Sequence, residues 1–85
     1  IEKVIENFGQ LEHVFLVGKL AKGLSSDVID LVFIGDIDKN YLFSVVQKVE
    51  VNLNKKIRFV SYLNSEYNEE KFSKNYPDYL LLWSK

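Results

Sequence analysis

Cysteine is absent from this 85-residue chain, and so is methionine. Without a thiol there can be no disulfide framework and no thiolate metal or redox site, and a reducing compartment is permitted. Proline occurs once, at Pro77, and histidine once, at His13. A Cys/His catalytic pair is therefore impossible, and a Ser/His/Asp set would have to use His13, which no supporting motif accompanies. Long apolar runs are missing too. Val28 to Ile34, broken by Asp30, and Tyr79 to Trp83 fall far short of the roughly 18 residues needed to cross a bilayer. Neither sign of charge dominates, with 11 basic against 12 acidic side chains. The electrostatic term behind non-specific nucleic-acid binding is correspondingly small.

What is present suits one domain. Hydrophobic residues make up 47% and aromatic residues 14% of the chain, enough to build a single core without staples. Ile1, Val4, Ile5 and Phe8 follow the spacing of one helix face, with no capping residue before them. A helix entered in mid-course predicts a domain of a longer protein, with the missing part on the N-terminal side. Gly9 is a suitable stop for that helix. His13 to Val17 is short, apolar and rich in β-formers, and reads as a buried strand. Gly18 to Asp27 reads as a loop with a helical turn near Leu20 to Lys22.

Val28 to Ile34 reads as the second strand, closed by Gly35. Val28, Asp30, Val32 and Ile34 share one face and Ile29, Leu31 and Phe33 the other, so both faces are apolar except for one aspartate. Asp38 is placed to cap a helix whose stripe is Leu42, Val45, Val46, Val49 and Leu53. Ile57 to Leu63 forms a third strand, with Arg58, Val60 and Tyr62 on one face. Asn64 or Ser65 would cap a short polar helix through about Ser73, and Leu80 to Trp83 would be a terminal strand. Strands alternating with helices predict an α/β (α+β) domain, a small mixed sheet of three to four strands covered by helices. There is no internal repeat, low-complexity tract or linker.

Glu66, Glu69 and Glu70 on the polar helix read as a solvated face, His13 as a strand-edge side chain reaching solvent, and the aromatic residues of the last third as core. The run Gly18 to Asp30, GKLAKGLSSDVID, differs from these. A strand ending in glycine, a small loop with a second glycine and then a strand carrying an acidic residue is one way to build a phosphate-handling site. The glycines let amides approach an anion, and the carboxylate can hold a metal beside it. The same pattern also makes an ordinary strand connection.

The run VFLVGKLAKGLSSDVIDLVFIGDID resembles the core of the small nucleotidyltransferase domains related to polymerase beta. Their signature is a strand, Gly-Ser, a short helix ending in Arg-Gly, and Ser-Asp-x-Asp-Leu on the next strand. The resemblance is closer still to the degenerate versions fused behind a winged-helix DNA-binding domain of the ArsR type. The phrases GKLAKG, VIDLVFIG, IDKNYL and LLLWS carry it. It covers nearly the whole chain and implies a nucleotidyltransferase-like fold in a bacterial, cytoplasmic regulator.

The departures matter most for function. In active members carboxylates on neighbouring strands hold divalent cations, which activate the attacking hydroxyl and neutralise the triphosphate. Here the second strand aspartate is Asp30, the first falls on Val28 and the third falls near Arg58. The Gly-Ser serine is Lys19, and the arginine before the second glycine is Lys22. Asp27 lies close in sequence, but in an extended strand it faces away from Asp30.

These replacements imply a pseudoenzyme with no cofactor and a vestigial site of Gly18, Lys19, Lys22, Gly23, Asp27, Asp30 and Arg58, in which Arg58 pairs with Asp30 where a metal once supplied the positive charge. Removing Arg58 should then destabilise the domain. The resemblance implies that DNA is contacted by the missing winged helix, not by this chain. The work left to the chain is self-association, docking of a protein partner, or sensing a small anion through Lys19 and Lys22. Two alternatives belong to other classes: an active transferase in which Asp27 and Asp30 share one Mg²⁺ with a nucleoside triphosphate, and an antitoxin-type small nucleotidyltransferase paired with a helical partner.

Overall fold

The structure is a computed structural model describing residues 2–85, with side chains described from Val4 onward. Ile1, the first member of the predicted apolar stripe, lies outside the described residues. Helix α1 spans Glu2–Asn7, and Gly9 ends it at a φ of +96°. Ile5 and Phe8 turn inward from α1, while Val4 is 39% exposed.

The strands are β1 (Gly9–Val17), β2 (Val28–Ile37), β3 (Lys56–Tyr62) and β4 (Leu80–Ser84). They form one four-stranded sheet in the order β3-β2-β1-β4. β1 runs antiparallel to both β2 and β4, whereas β2 and β3 are parallel. A parallel neighbour cannot be reached by a tight turn, and helix α2 (Lys39–Leu53) makes the crossover. The Asp38 side chain accepts from the Tyr41 amide at 3.1 Å at the start of α2, as the sequence predicted.

Both long strands outrun their predicted limits. β1 begins at Gly9 instead of His13, and β2 passes through Gly35 to Ile37. Gly35 does not close the strand. It faces Leu11 just where the β1 register shifts between Leu11 and His13. The Gln10 carbonyl approaches so closely there that a Cβ on Gly35 would collide with it, and Gly35 takes a φ of +143°. The shift is a β-bulge, and it turns neighbouring odd-numbered residues to opposite faces of the sheet. Leu11 joins Phe8, Phe33, Leu42, Val46 and Ile57 in the core beneath α1 and α2. Phe15 and Val17 join Val32, Ile34 and Phe72 on the other face.

That second face is covered by helix α3 (Glu69–Asn75). The predicted polar helix is in fact two pieces. Asn64–Glu66 is a single 3₁₀ turn, in which the Glu66 carboxylate accepts from the Leu63 amide at 2.7 Å. α3 then starts afresh, with Asn68 as its cap accepting from the Lys71 amide at 3.0 Å. The break lets Phe72 point at the sheet, where its ring lies 4.4 Å from that of Phe15. At the end of α2, Leu53 leaves the predicted stripe and is 51% exposed, because Asn54 takes a left-handed conformation and turns the chain into β3. No described helix is long and apolar enough to cross a membrane.

Candidate functional site

The strand register brings the chemistry-bearing residues together. Asp30 lies beside Val17 on β1 and beside Arg58 on β3. On parallel strands in register, directly opposed residues project from the same face. Asp30 and Arg58 therefore converge on the α3 side. The Arg58 Nε donates to Asp30 Oδ1 at 2.8 Å and Nη2 donates to Oδ2 at 3.1 Å, a two-point contact. The contact expected from the sequence is present, but it is not a buried one. The Asp30 side chain is 24% exposed and that of Arg58 66%. Asp30 holds the Arg58 guanidinium more firmly protonated than an isolated arginine, through its hydrogen bonds first and its charge second.

Gly18 sits against the carboxylate from the other side. A Cβ there would stand 2.6 Å from Asp30 Oδ2, and the residue has a φ of +77°, so glycine suits the position on both counts. In front of the pair lies an open cleft of about 330 Å³ lined by Val17, Gly18, Asp30, Val32, Arg58 and Tyr76, among others. Tyr76 is the residue that sequence reasoning missed. It arrives from beyond α3, 46 positions along the chain from Asp30, and its ring packs 5.0 Å from that of Phe72. Burial pushes its hydroxyl pKa up, and the neighbouring Tyr62 and the Asp30 charge push it further.

The remaining predicted residues stay apart from this cluster. Lys19, Lys22 and Gly23 belong to the 3₁₀ turn Leu20–Lys22, and the side chains of Lys19 and Lys22 are exposed. Amides of the turn are turned inward: Lys22 and Leu24 both donate to the Lys19 carbonyl and Gly23 to that of Leu20, each at 3.0 Å. Those donors are spent on the turn and do not form an anion cradle. Asp27 precedes β2, is exposed, and uses its carbonyl to accept the Lys56 amide at 3.0 Å.

His13 is half-buried instead of reaching solvent, because β1 is an inner strand. Its Nδ1 lies 3.1 Å from Ser84 Oγ and its ring packs on Tyr67. The glutamates keep to a solvated surface, where Glu70 meets Lys74 at 3.7 Å.

Mg²⁺ is the cofactor that active domains of this fold imply. The residues present do not fit it. Asp30 is the one carboxylate of the cleft lining, and a guanidinium already engages both of its oxygens. Among the described residues no three His, Asp or Glu side chains are grouped to hold a metal ion. A hard divalent cation takes several oxygen ligands and is repelled by an adjacent fixed positive charge.

No protein-family description matches the chain, and no curated protein matches it. Solved structures do. The chain is similar to a variant of the toxin–antitoxin MntA–HpeT, with a TM-score of 0.67 and 16% identity over 99% of this chain and 70% of that one. It is similar to the complex of the tri-AMPylated Shewanella oneidensis HEPN toxin with MNT antitoxin, with a TM-score of 0.61, 17% identity and coverage of 99% and 66%. A Sulfolobus solfataricus protein assigned to the nucleotidyltransferases gives a TM-score of 0.57 and 23% identity, over 99% and 73%. At these identities the likeness concerns architecture: the chain has the fold of small nucleotidyltransferase domains.

Proposed function

We propose that this chain is a non-catalytic nucleotidyltransferase-fold module that works by binding a protein partner, in the manner of an antitoxin-type small nucleotidyltransferase. The observation that carries the reading is the Asp30–Arg58 pair, in which an arginine holds the carboxylate that an active site would need for metal. The toxin–antitoxin complexes among its structural neighbours support the partner-binding half. The work is done by surface, and the former reaction site does no chemistry. No Mg²⁺ and no nucleoside triphosphate are required, and the module works in the cytoplasm.

The test has two arms. Incubation of the protein with labelled ATP and Mg²⁺ or Mn²⁺ is expected to transfer no nucleotide to itself or to the product of the adjacent reading frame. Co-expression with that product is expected to yield a stable complex by size-exclusion chromatography. Metal-dependent labelling would overturn the non-catalytic half, and elution of both proteins as separate species would overturn the partner half.

A second reading is favoured by the phrases GKLAKG, VIDLVFIG, IDKNYL and LLLWS. On it, the module regulates an ArsR-type winged-helix protein whose other domain contacts DNA. The sequence encoded upstream of Ile1 discriminates the two, since a winged helix there favours the regulator.

A further inference from the structure

We propose that Arg58 is the residue that keeps divalent cations off Asp30, and that replacing it by a carboxylate is enough to turn this position into a cation site. The inference rests on the reading above that the natural cleft does no metal chemistry, and it extends that reading by naming the residue responsible. The Asp30 carboxylate is walled on one side by the Gly18 backbone, so close that not even a methyl group fits between them. Its other flank is filled by Arg58, which donates one hydrogen bond to each oxygen. An incoming cation needs carboxylate oxygens at about 2.0–2.1 Å for Mg²⁺, and the guanidinium stands where that cation would approach. Being tethered one strand away, the guanidinium competes at high effective concentration. Its 66% exposure shows that pairing, not burial, keeps it in place.

The register supplies the second half of the argument. Residue 58 faces residue 30 directly on the neighbouring parallel strand, and strands lie about 4.8 Å apart. Two carboxylates at that separation can share one ion, which is as many protein ligands as Mg²⁺ ordinarily takes when water fills the rest of its shell. The open cleft in front leaves room for those waters.

The probe is Mn²⁺ alone, titrated into wild type, Arg58→Asp, Arg58→Gln and the double variant Asp30→Asn/Arg58→Asp, with paramagnetic broadening of backbone amides as the readout. Arg58→Asp is expected to show saturable broadening centred on Gly18 and Asp30, at least tenfold tighter than any seen in wild type, and the double variant is expected to lose it. Arg58→Gln removes the charge without adding a ligand, so Mn²⁺ should reach Asp30 more readily than in wild type and less readily than in Arg58→Asp. Because Gln is neutral and polar, this arm reads the exclusion even where the aspartate variant fails to fold. Equal broadening at Asp30 in wild type and Arg58→Gln would overturn the exclusion. A folded Arg58→Asp protein without localised broadening would overturn the site. Neither result touches the functional reading, which fails only if wild type transfers nucleotide or binds no partner.

Discussion

A charged pair at a strand surface can be mistaken for a structural keystone. Arg58 keeps most of its side chain in water, and exposed pairs contribute little because solvent screens them. Arg58→Ala is therefore expected to lower the melting temperature measurably but by much less than truncation of a core residue. A fall as large as that from Ile34→Ala would show that Asp30 depends on its partner far more than its exposure suggests. The tyrosines give a sharper pH signature. Burial is the main cause that raises both Tyr67 and Tyr76 above the ordinary value, with Glu69 acting next on Tyr67 and Tyr62 on Tyr76. In the folded protein these hydroxyls stay protonated at a pH where the unfolded chain has lost the protons. Their contribution is thus complete below about pH 10 and declines as pH climbs through the raised values. Melting temperatures measured from pH 8 to pH 11 should fall in the alkaline range, and the fall should be shallower in Tyr67→Phe/Tyr76→Phe.

Among the elements, α2 and α3 are held in different ways. α2 is fifteen residues long and buries Leu42 and Val46, whereas α3 has seven residues and buries Phe72 alone. Both begin with a side-chain cap, and removing such a cap costs about 0.5–2 kcal/mol. Asp38→Ala and Asn68→Ala should each lose about 1 kcal/mol in urea titrations, with Asn68→Ala also quickening amide exchange throughout α3. The longer α2 should keep its protection after Asp38→Ala. The bulge in β1 is less forgiving. Gly35→Ala must either push the Gln10 carbonyl aside or move the strand, besides forcing a side chain into a positive-φ conformation. Backbone strain alone is worth about 1–3 kcal/mol, so this variant should be much less stable than either cap mutant. Wild-type stability in Gly35→Ala would mean that the bulge relaxes freely.

For the whole molecule the main fact is that one sheet serves two apolar faces. Leu42 belongs to the cluster under α1 and α2, and Ile34, fully buried, to the cluster under α3. Truncating either to alanine should cost about 2–5 kcal/mol. Since β1 and β2 contribute to both clusters, neither face can open without disturbing the other, and unfolding should be one cooperative step. Trp83 packs on the α1/α2 side, so its fluorescence reports one face while far-UV circular dichroism reports all elements. The two transitions should coincide in wild type, Ile34→Ala and Leu42→Ala. Separated midpoints would show that the α3 layer melts independently.

Local pattern carried much of this architecture. Alternation along Val28 to Ile34, the stripe of α2, the Asp38 cap and the terminal LLLWS strand were legible because each depends on neighbours a few residues away, and so was the opposition of Asp30 and Arg58 once the strands had been aligned on a familiar plan. Other features rest on contacts between distant segments. Gly35 looks like a strand end until the Gln10 carbonyl lies across from it. His13 looks like an edge residue until β4 pairs beyond it. Tyr76 has no local mark of a cleft residue, and Arg58 carries none to say that its pairing leaves it in solvent. Periodicity and capping are properties of a short window of chain, whereas exposure, close approach and the lining of a cleft exist only once strands far apart in sequence are side by side.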